Sequence, residues 1–241
     1  MKIALVTDLH AEEDFTTKNG VNPWENWKTI LADIQSRGIK QLFFLGDIGS
    51  PTAHRQFFDS LDQSALDHKI ILGNHENFAE IIQTRRPEVI ADRSEWYWSE
   101  ENEAFKSIYL DTSTEAISQA QLDWLKSEVQ TEKPILLFVH HPILQTNTTP
   151  HLEFPLDGDE LILEILKSHH QPIHIFCGHL HLDDRQTVNH ITQTVTPSAS
   201  IQVKRHSEKA EVENIGFAYR ILKITKNQLD SKVIWFDNIQ K

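Results

Sequence analysis

IALVTDLH, residues 3–10, is a short apolar run that ends in an aspartate and a histidine, and the same arrangement recurs along the chain. QLFFL (41–45) leads into Gly46-Asp47 and KIIL (69–72) into Gly73-Asn74-His75-Glu76. ILLFV (135–139) leads into His140-His141-Pro142, and IHIFC (173–177) into Gly178-His179-Leu180-His181. Runs of this length, rich in Ile, Val, Leu and Phe, read as buried strands. The polar residues therefore stand at strand ends. Open α/β sheets gather their ligand sites at strand carboxyl ends, where a loop aims a side chain without burying it in the sheet.

The donor set has its own chemistry. Asp8, His10, Asp47, Asn74, His140, His179 and His181 offer oxygen and imidazole donors, a mixture suited to Zn, Mn or Fe rather than to Ca or Mg alone. These are more donors than one ion needs. With one carboxylate bridging they fill two sites and leave room for water, and two ions roughly 3.5 to 4 Å apart suit displacement at phosphorus. Taken singly the fragments are ordinary: D-L-H and Gly46-Asp47 read as turns, and G-N-H-E reads equally as a helix start with Asn74 as N-cap. Their occurrence in order, each behind a strand, is what points to a site.

In order from Asp8 to His181, the five blocks resemble the D-x-H, G-D, G-N-H-[DE], H-x-P and G-H-x-H pattern of the calcineurin-like metallophosphoesterases. The resemblance implies a single domain over residues 1–241, folded as a four-layer α-β-β-α sandwich with two mixed sheets. Position by position, it implies one metal ion on Asp8, His10, Asp47 and His181 and a second on Asp47, Asn74, His140 and His179, with Asp47 as the bridge. His75 becomes the catalytic candidate, a general acid or transition-state stabiliser outside the metal shell. The two ions are drawn from Fe, Mn, Zn or Co.

Thr196-Pro197-Ser198-Ala199-Ser200-Ile201-Gln202 and Gly216-Phe217-Ala218-Tyr219-Arg220-Ile221-Leu222 are similar to stretches of the class III cyclic nucleotide phosphodiesterases. That similarity implies hydrolysis of a small phosphodiester, 3′,5′-cyclic AMP to 5′-AMP, by attack of a metal-bound hydroxide. The alternatives are a phosphatase, a phosphodiesterase for another small molecule such as a 2′,3′-cyclic nucleotide or a nucleotide pyrophosphate, and an inactive binding scaffold of the same fold. The segment around Ser198 and the loop after His140 are expected to shape the pocket.

The 241 residues suffice for one sizeable core, and a lone cysteine, Cys177, excludes an internal disulfide and reads as a small core residue. The apolar run near the N-terminus is too short for a signal peptide, and no run approaches the roughly 20 residues of a membrane span. A cytoplasmic protein is expected. The net charge of −12 argues against a nucleic-acid-binding face. Two divalent ions contribute about +4 against about −2 from the two aspartates, so the centre still attracts a small anionic phosphoester. Oligomeric state is not legible.

Helices are predicted at 24–37, 54–61, 78–85, 118–129 and 159–167, the first introduced by Asn22-Pro23 and ended by Gly38. Further strands are predicted at 96–98, 105–111, 191–195, 217–224 and 232–236. Trp96-Tyr97-Trp98 reads as an aromatic strand with alternate faces buried rather than a base-stacking platform, and Phe57-Phe58 as helix packing. His141 reads as a strand-end histidine ahead of a donor to a ligand. Glu76 reads either as an acceptor behind the ligands or, ahead of that, as a charge that favours the following helix N-terminus. Thr146 to Pro155 reads as a loop near the metal mouth, with His151 more a structural residue than a substrate contact.

Overall fold

Secondary structure follows the apolar pattern closely. The computed structural model describes residues 1–85, 94–225 and 228–237. The chain runs β1 (Lys2–Val6), α1 (Asp14–Lys18), α2 (Pro23–Ser36), β2 (Gln41–Phe44), α3 (Ala53–Ser64), β3 (Asp67–Ile70) and α4 (Phe78–Thr84). It continues through β4 (Trp98–Glu101), β5 (Lys106–Tyr109), α5 (Gln119–Glu128), β6 (Ile135–Phe138), α6 (Thr149–Glu153), α7 (Asp159–Lys167) and β7 (Ile173–Cys177). The last elements are β8 (Asp184–Val188), β9 (Ile191–Val195), β10 (Gln202–Val203), β11 (Val212–Glu213), β12 (Phe217–Ile224) and β13 (Leu229–Phe236).

Two large sheets result. The first has the order β13-β12-β1-β2-β3, with β1, β2 and β3 parallel and β12 and β13 antiparallel beside them. The second has the order β4-β5-β6-β7-β9-β8, parallel from β5 to β9 and closed at each edge by an antiparallel strand. Both are mixed, as expected.

Alternation along the strands assigns the layers, because successive side chains point to opposite faces. Phe43 on β2 meets Phe138 on β6 with ring centroids 5.1 Å apart and Tyr109 on β5 at 6.0 Å, so these residues form the interface between the sheets. Phe44, one residue on, turns the other way and packs on Phe57 of α3 at 4.7 Å and Trp27 of α2 at 6.0 Å. On the second sheet Ile135, Leu137 and Val139 share a buried cluster with Leu122 and Leu125 of α5 and Ile162 and Leu166 of α7. Helices thus cover the outer face of each sheet.

Local chemistry sets the element ends. Asn22 caps α2 by accepting from the Glu25 N–H, with Pro23 in the first turn, and Ser118 caps α5 by accepting from the Gln121 N–H. At α4 the cap is Asn77, which accepts from the Ala79 N–H at 2.9 Å, leaving Asn74 outside the helix.

Several expectations are corrected. Only Trp98 of Trp96-Tyr97-Trp98 lies in β4. Trp96 leaves the ladder because its indole N–H donates to the Ile70 carbonyl at 2.7 Å and its backbone N–H to the Asp111 carboxylate at 2.7 Å. β3 begins earlier than KIIL, at Asp67, because its parallel register on β2 pairs Gln41 with Asp67 and Phe44 with Ile70. Residues 146–155 are not wholly a loop but contain α6. Among the described residues no helix is long and apolar enough to cross a membrane.

Candidate metal centre

The carboxyl ends of β1, β2, β3, β6 and β7 converge, and they bring the motif residues together. Loop joins loop through the backbone: the Asp8 N–H donates to Gly46 O at 2.9 Å, and the Leu9 and His10 N–H groups to Asp47 O at 2.8 and 3.1 Å. Asp8, His10, Asp47, His179 and His181 all take left-handed backbone angles, φ 56°, 49°, 61°, 68° and 50°. Such angles cost about 1–3 kcal/mol each for a residue with a Cβ, and they persist only where the surroundings fix them. They turn each side chain sharply off its strand and into the common space. Ser198 and Ser200 secure the first of these turns, since both hydroxyls donate to the Asp8 carbonyl, at 2.8 and 3.0 Å. Their side chains are buried, so the Ser198 segment braces the Asp8 turn from within the protein.

Close approach also demands glycine in these loops, Gly73 and Gly178 among them. A Cβ at Gly73 would lie 2.2 Å from Asp47 Oδ1, and one at Gly178 would lie 2.0 Å from Thr7 Oγ1 and 2.6 Å from Asp8 Oδ2.

Four histidines share one wiring pattern. His140 Nδ1–H donates to Leu45 O at 2.7 Å, His181 Nδ1–H to Ile201 O at 2.8 Å, His179 Nε2–H to Phe154 O at 3.0 Å and His10 Nδ1–H to Glu13 Oε2 at 3.3 Å. In its neutral form each ring therefore keeps its other nitrogen bare, the tautomer a metal ligand needs. Those bare nitrogens confront acceptors. His10 Nε2 is 2.9 Å from His181 Nε2, and His179 Nδ1 is 3.1 Å from Asn74 Oδ1. His140 Nε2 is sealed from water without a hydrogen bond. Lone pairs facing one another in a buried space are unfavourable unless a cation lies between them, so the donor set fits divalent metal ions.

Three groups of donors stand close enough to hold an ion: Asp8, His10, Asp47 and His181; Asp47, His140 and His179; and, further out, His10, Glu13 and His75. Asp47 belongs to the first two. Its Oδ2 is 3.5 Å from His10 Nε2 and 3.2 Å from His140 Nε2, while its Oδ1 accepts the His75 N–H at 3.0 Å. Electrostatics agrees with a site that seeks positive charge. Burial disfavours the charged forms of both carboxyls, yet the surrounding histidines hold Asp8 below and Asp47 well below the usual carboxylate range. Burial alone would lower His140, but Asp47 lifts it to about 9. His179, buried and beside His140, falls to about 4.

Glu76 departs from its expected role. Its carboxylate is buried and accepts from the backbone N–H groups of Asp47 at 2.8 Å, Ile48 at 2.7 Å, Gly49 at 3.4 Å and Gly73 at 2.9 Å. Glu76 thus ties the β2 loop to the β3 loop, and the helix that follows takes its cap from Asn77 instead. Burial and the neighbouring Asp47 push the Glu76 carboxyl up, to about 8. His141 stays outside the centre, bonded through Nδ1 to Thr112 Oγ1 at 2.8 Å and packed on His179 at 4.1 Å. Cys177 is buried and its thiol is pushed well above its usual value by burial.

Sequence reasoning missed Glu13. Its carboxylate spans His10 and His75, with Oε1 accepting from His75 Nδ1–H at 2.9 Å. Burial pulls the His75 imidazolium down, but the bond to Glu13 and the charges of Asp47 and Glu13 raise it to about 9; Glu13, hydrogen-bonded to both rings, falls to about 2 despite its own burial. Nothing in Ala11-Glu12-Glu13-Asp14 marks the middle acid, because three acidic residues in a row carry no spacing.

Asp8, His10, Asp47, His140 and His181 are buried, whereas Asn74, His75 and His179 remain partly accessible, so the centre opens on their side. A cleft of about 500 Å³ adjoins Asn74 and His75 and is bounded by Asn77, Glu80, Glu95 and Asp111.

A profile of the calcineurin-like phosphoesterases matches residues 1–183. The chain is 23% identical over 243 residues to a probable cyclic nucleotide phosphodiesterase of Fibrobacter succinogenes, covering 99% of this chain and 94% of that protein. It is 22% identical over 246 residues to a 3′,5′-cyclic adenosine monophosphate phosphodiesterase of Vibrio vulnificus, covering 94% of this chain and 86% of the other. Its fold is similar to that of a dimetal phosphatase from Danio rerio, with a TM-score of 0.68, 15% identity and 98% of each chain covered.

Proposed function

This chain belongs to the calcineurin-like phosphoesterase family and is a metal-dependent phosphoesterase, and from that premise we propose that it is a dinuclear phosphodiesterase whose leading substrate is 3′,5′-cyclic AMP. The observation that carries the reading is the set of bare imidazole nitrogens and carboxylate oxygens meeting around Asp47. Asp8, His10, Asp47 and His181 would hold one divalent ion, and Asp47, Asn74, His140 and His179 the other. Ions bound there, drawn from Fe, Mn, Zn or Co, would supply Lewis acidity, withdrawing charge from phosphoryl oxygens and acidifying water.

The chain's own residues do the rest. Glu13 fixes the His75 ring through Nδ1, which leaves Nε2 for the substrate. His75, held as imidazolium near neutral pH, gives a proton to the departing 3′ oxygen as water adds to phosphorus and the P–O3′ bond breaks, and the proton released by that water recharges His75 through solvent. The products balance as 5′-AMP. Glu76 keeps Asp47 in register by accepting from the Asp47 and Gly73 backbone N–H groups.

Charge favours a diester over a monoester. The cleft beside His75 carries Glu80, Glu95 and Asp111, which repel a dianionic monoester more than a monoanionic diester. The similarity to a probable cyclic nucleotide phosphodiesterase and to a 3′,5′-cyclic adenosine monophosphate phosphodiesterase supports that choice. Its one cysteine, buried within the sheet, is in keeping with the cytoplasm as the place of work.

The direct test offers Mn-loaded protein 3′,5′-cyclic AMP, 2′,3′-cyclic AMP and 5′-AMP separately. Accumulation of 5′-AMP from the first supports the proposal. Rapid phosphate release from 5′-AMP with cyclic AMP left intact would make the protein a phosphatase.

A further inference from the structure

Residues 146–155 present an exposed apolar pair that packing does not account for. Leu152 is 69% and Phe154 54% exposed, on and just after the single turn of α6. The backbone beneath them is nevertheless firmly held. The Thr149 N–H donates to Arg205 O at 2.9 Å, its hydroxyl donates to Ser207 O at 3.0 Å, and the Ala210 N–H donates to the Glu153 carboxylate at 3.0 Å. Pro150 and His151 anchor the turn from inside.

Phe154 also reports its own distance from the centre. Its carbonyl accepts the His179 Nε2–H at 3.0 Å, and its ring stands edge-on to the His179 imidazole at 6.5 Å between centroids. His179, Asn74 and His75 form the open side of the centre, so the organic part of a bound phosphoester must emerge past them. Single exposed apolar residues are ordinary on protein surfaces. An aromatic fixed at the mouth of a metal centre is in a place where a ligand would cover it.

We propose that Phe154 is a stacking platform for a flat aromatic group on the substrate, the nucleobase when the substrate is a cyclic nucleotide. The inference rests on the phosphodiesterase reading and adds a specificity residue to it. A phenyl face has no hydrogen-bond pattern and accepts any base. The platform therefore selects nucleotides over aliphatic diesters without choosing among bases.

The test compares kcat/KM for 3′,5′-cyclic AMP with that for base-free ribose 3′,5′-cyclic phosphate in the wild type, Phe154→Ala and Phe154→Tyr. Alanine keeps the backbone carbonyl that orients His179, so the comparison isolates the ring. The preference for cyclic AMP should fall by about five- to a hundred-fold in Phe154→Ala, mainly through KM, and survive in Phe154→Tyr. An unchanged preference in Phe154→Ala would overturn the platform. If the wild type cleaves neither cyclic phosphate, the substrate reading fails on its own. Calorimetry then decides the platform separately: Mn-loaded wild type should bind 5′-AMP more tightly than ribose 5-phosphate, and Phe154→Ala should lose that difference. Equal binding of the two by the wild type contradicts it.

Discussion

Asp47 is the residue on which the centre turns. Its Oδ2 lies within 3.5 Å of a bare nitrogen from each half of the donor set, and its Oδ1 receives the His75 N–H. Asp47→Ala should therefore remove more bound metal than Asn74→Ala, since Asn74 would serve one half only. Elemental analysis showing two ions per chain in both variants would take these residues out of metal binding. His75 separates binding from chemistry. It bonds Glu13 through Nδ1 and lines the cleft, and on the proposed ligand set His75→Ala should keep both ions and lose roughly 10² to 10⁴ in kcat. Full metal content with unchanged kcat would remove it from the reaction. Reduced content would make it a ligand.

At the scale of elements, the loops depend on contacts that tolerate no added atom. In Gly178→Ala the new Cβ meets Thr7 Oγ1 and Asp8 Oδ2 at hard-contact distance, and overpacking of this kind costs about 1–3 kcal/mol. Both the melting temperature and the metal content should fall. Gly38→Ala is the control. It sits at a helix end with φ 66° and open space around it, so it should cost about 1 kcal/mol and leave metal content intact. Equal metal content in the two variants would show that Gly178 is not needed for the centre.

The elements also show what sequence could and could not disclose. Strands β1, β2, β6 and β7 were legible because both their faces are buried, which makes them continuous apolar runs. β8, Asp184–Val188, was not: it is an edge strand of mostly polar, exposed residues. α1 and α6 are too short to display a period. Among the site residues, the motif histidines and aspartates announce themselves by position behind a strand. Glu13 and Phe154 matter only through distant partners, His75 and His179, and Glu76 through four backbone N–H groups. No local pattern encodes such pairings.

At the scale of the whole molecule, aromatic rings meet between the two sheets: Phe138 touches Phe43 of the other sheet at 5.1 Å and is flanked on its own sheet by Tyr109 at 5.1 Å and Phe176 at 5.6 Å. Phe138→Ala should cost about 3–5 kcal/mol, read as a lower midpoint in denaturant with little change in slope. A loss below about 1 kcal/mol, the level typical of a surface substitution, would mean that the sheets do not depend on this contact. The interface matters to function because the donors come from both sheets: Asp8, Asp47 and Asn74 follow strands of the first, His140, His179 and His181 strands of the second.

Metal titration of stripped protein tests that union most directly. Protein freed of metal by chelation is titrated with Mn²⁺ while bound metal and hydrolysis of 3′,5′-cyclic AMP are followed together. Hydrolysis should be absent at the start, rise as metal is bound, and level off at two ions per chain, with Asp47→Ala failing at both readouts. Diester hydrolysis that persists without metal, or a chain that binds two ions and cleaves no phosphodiester, would contradict a dinuclear phosphodiesterase built on Asp47.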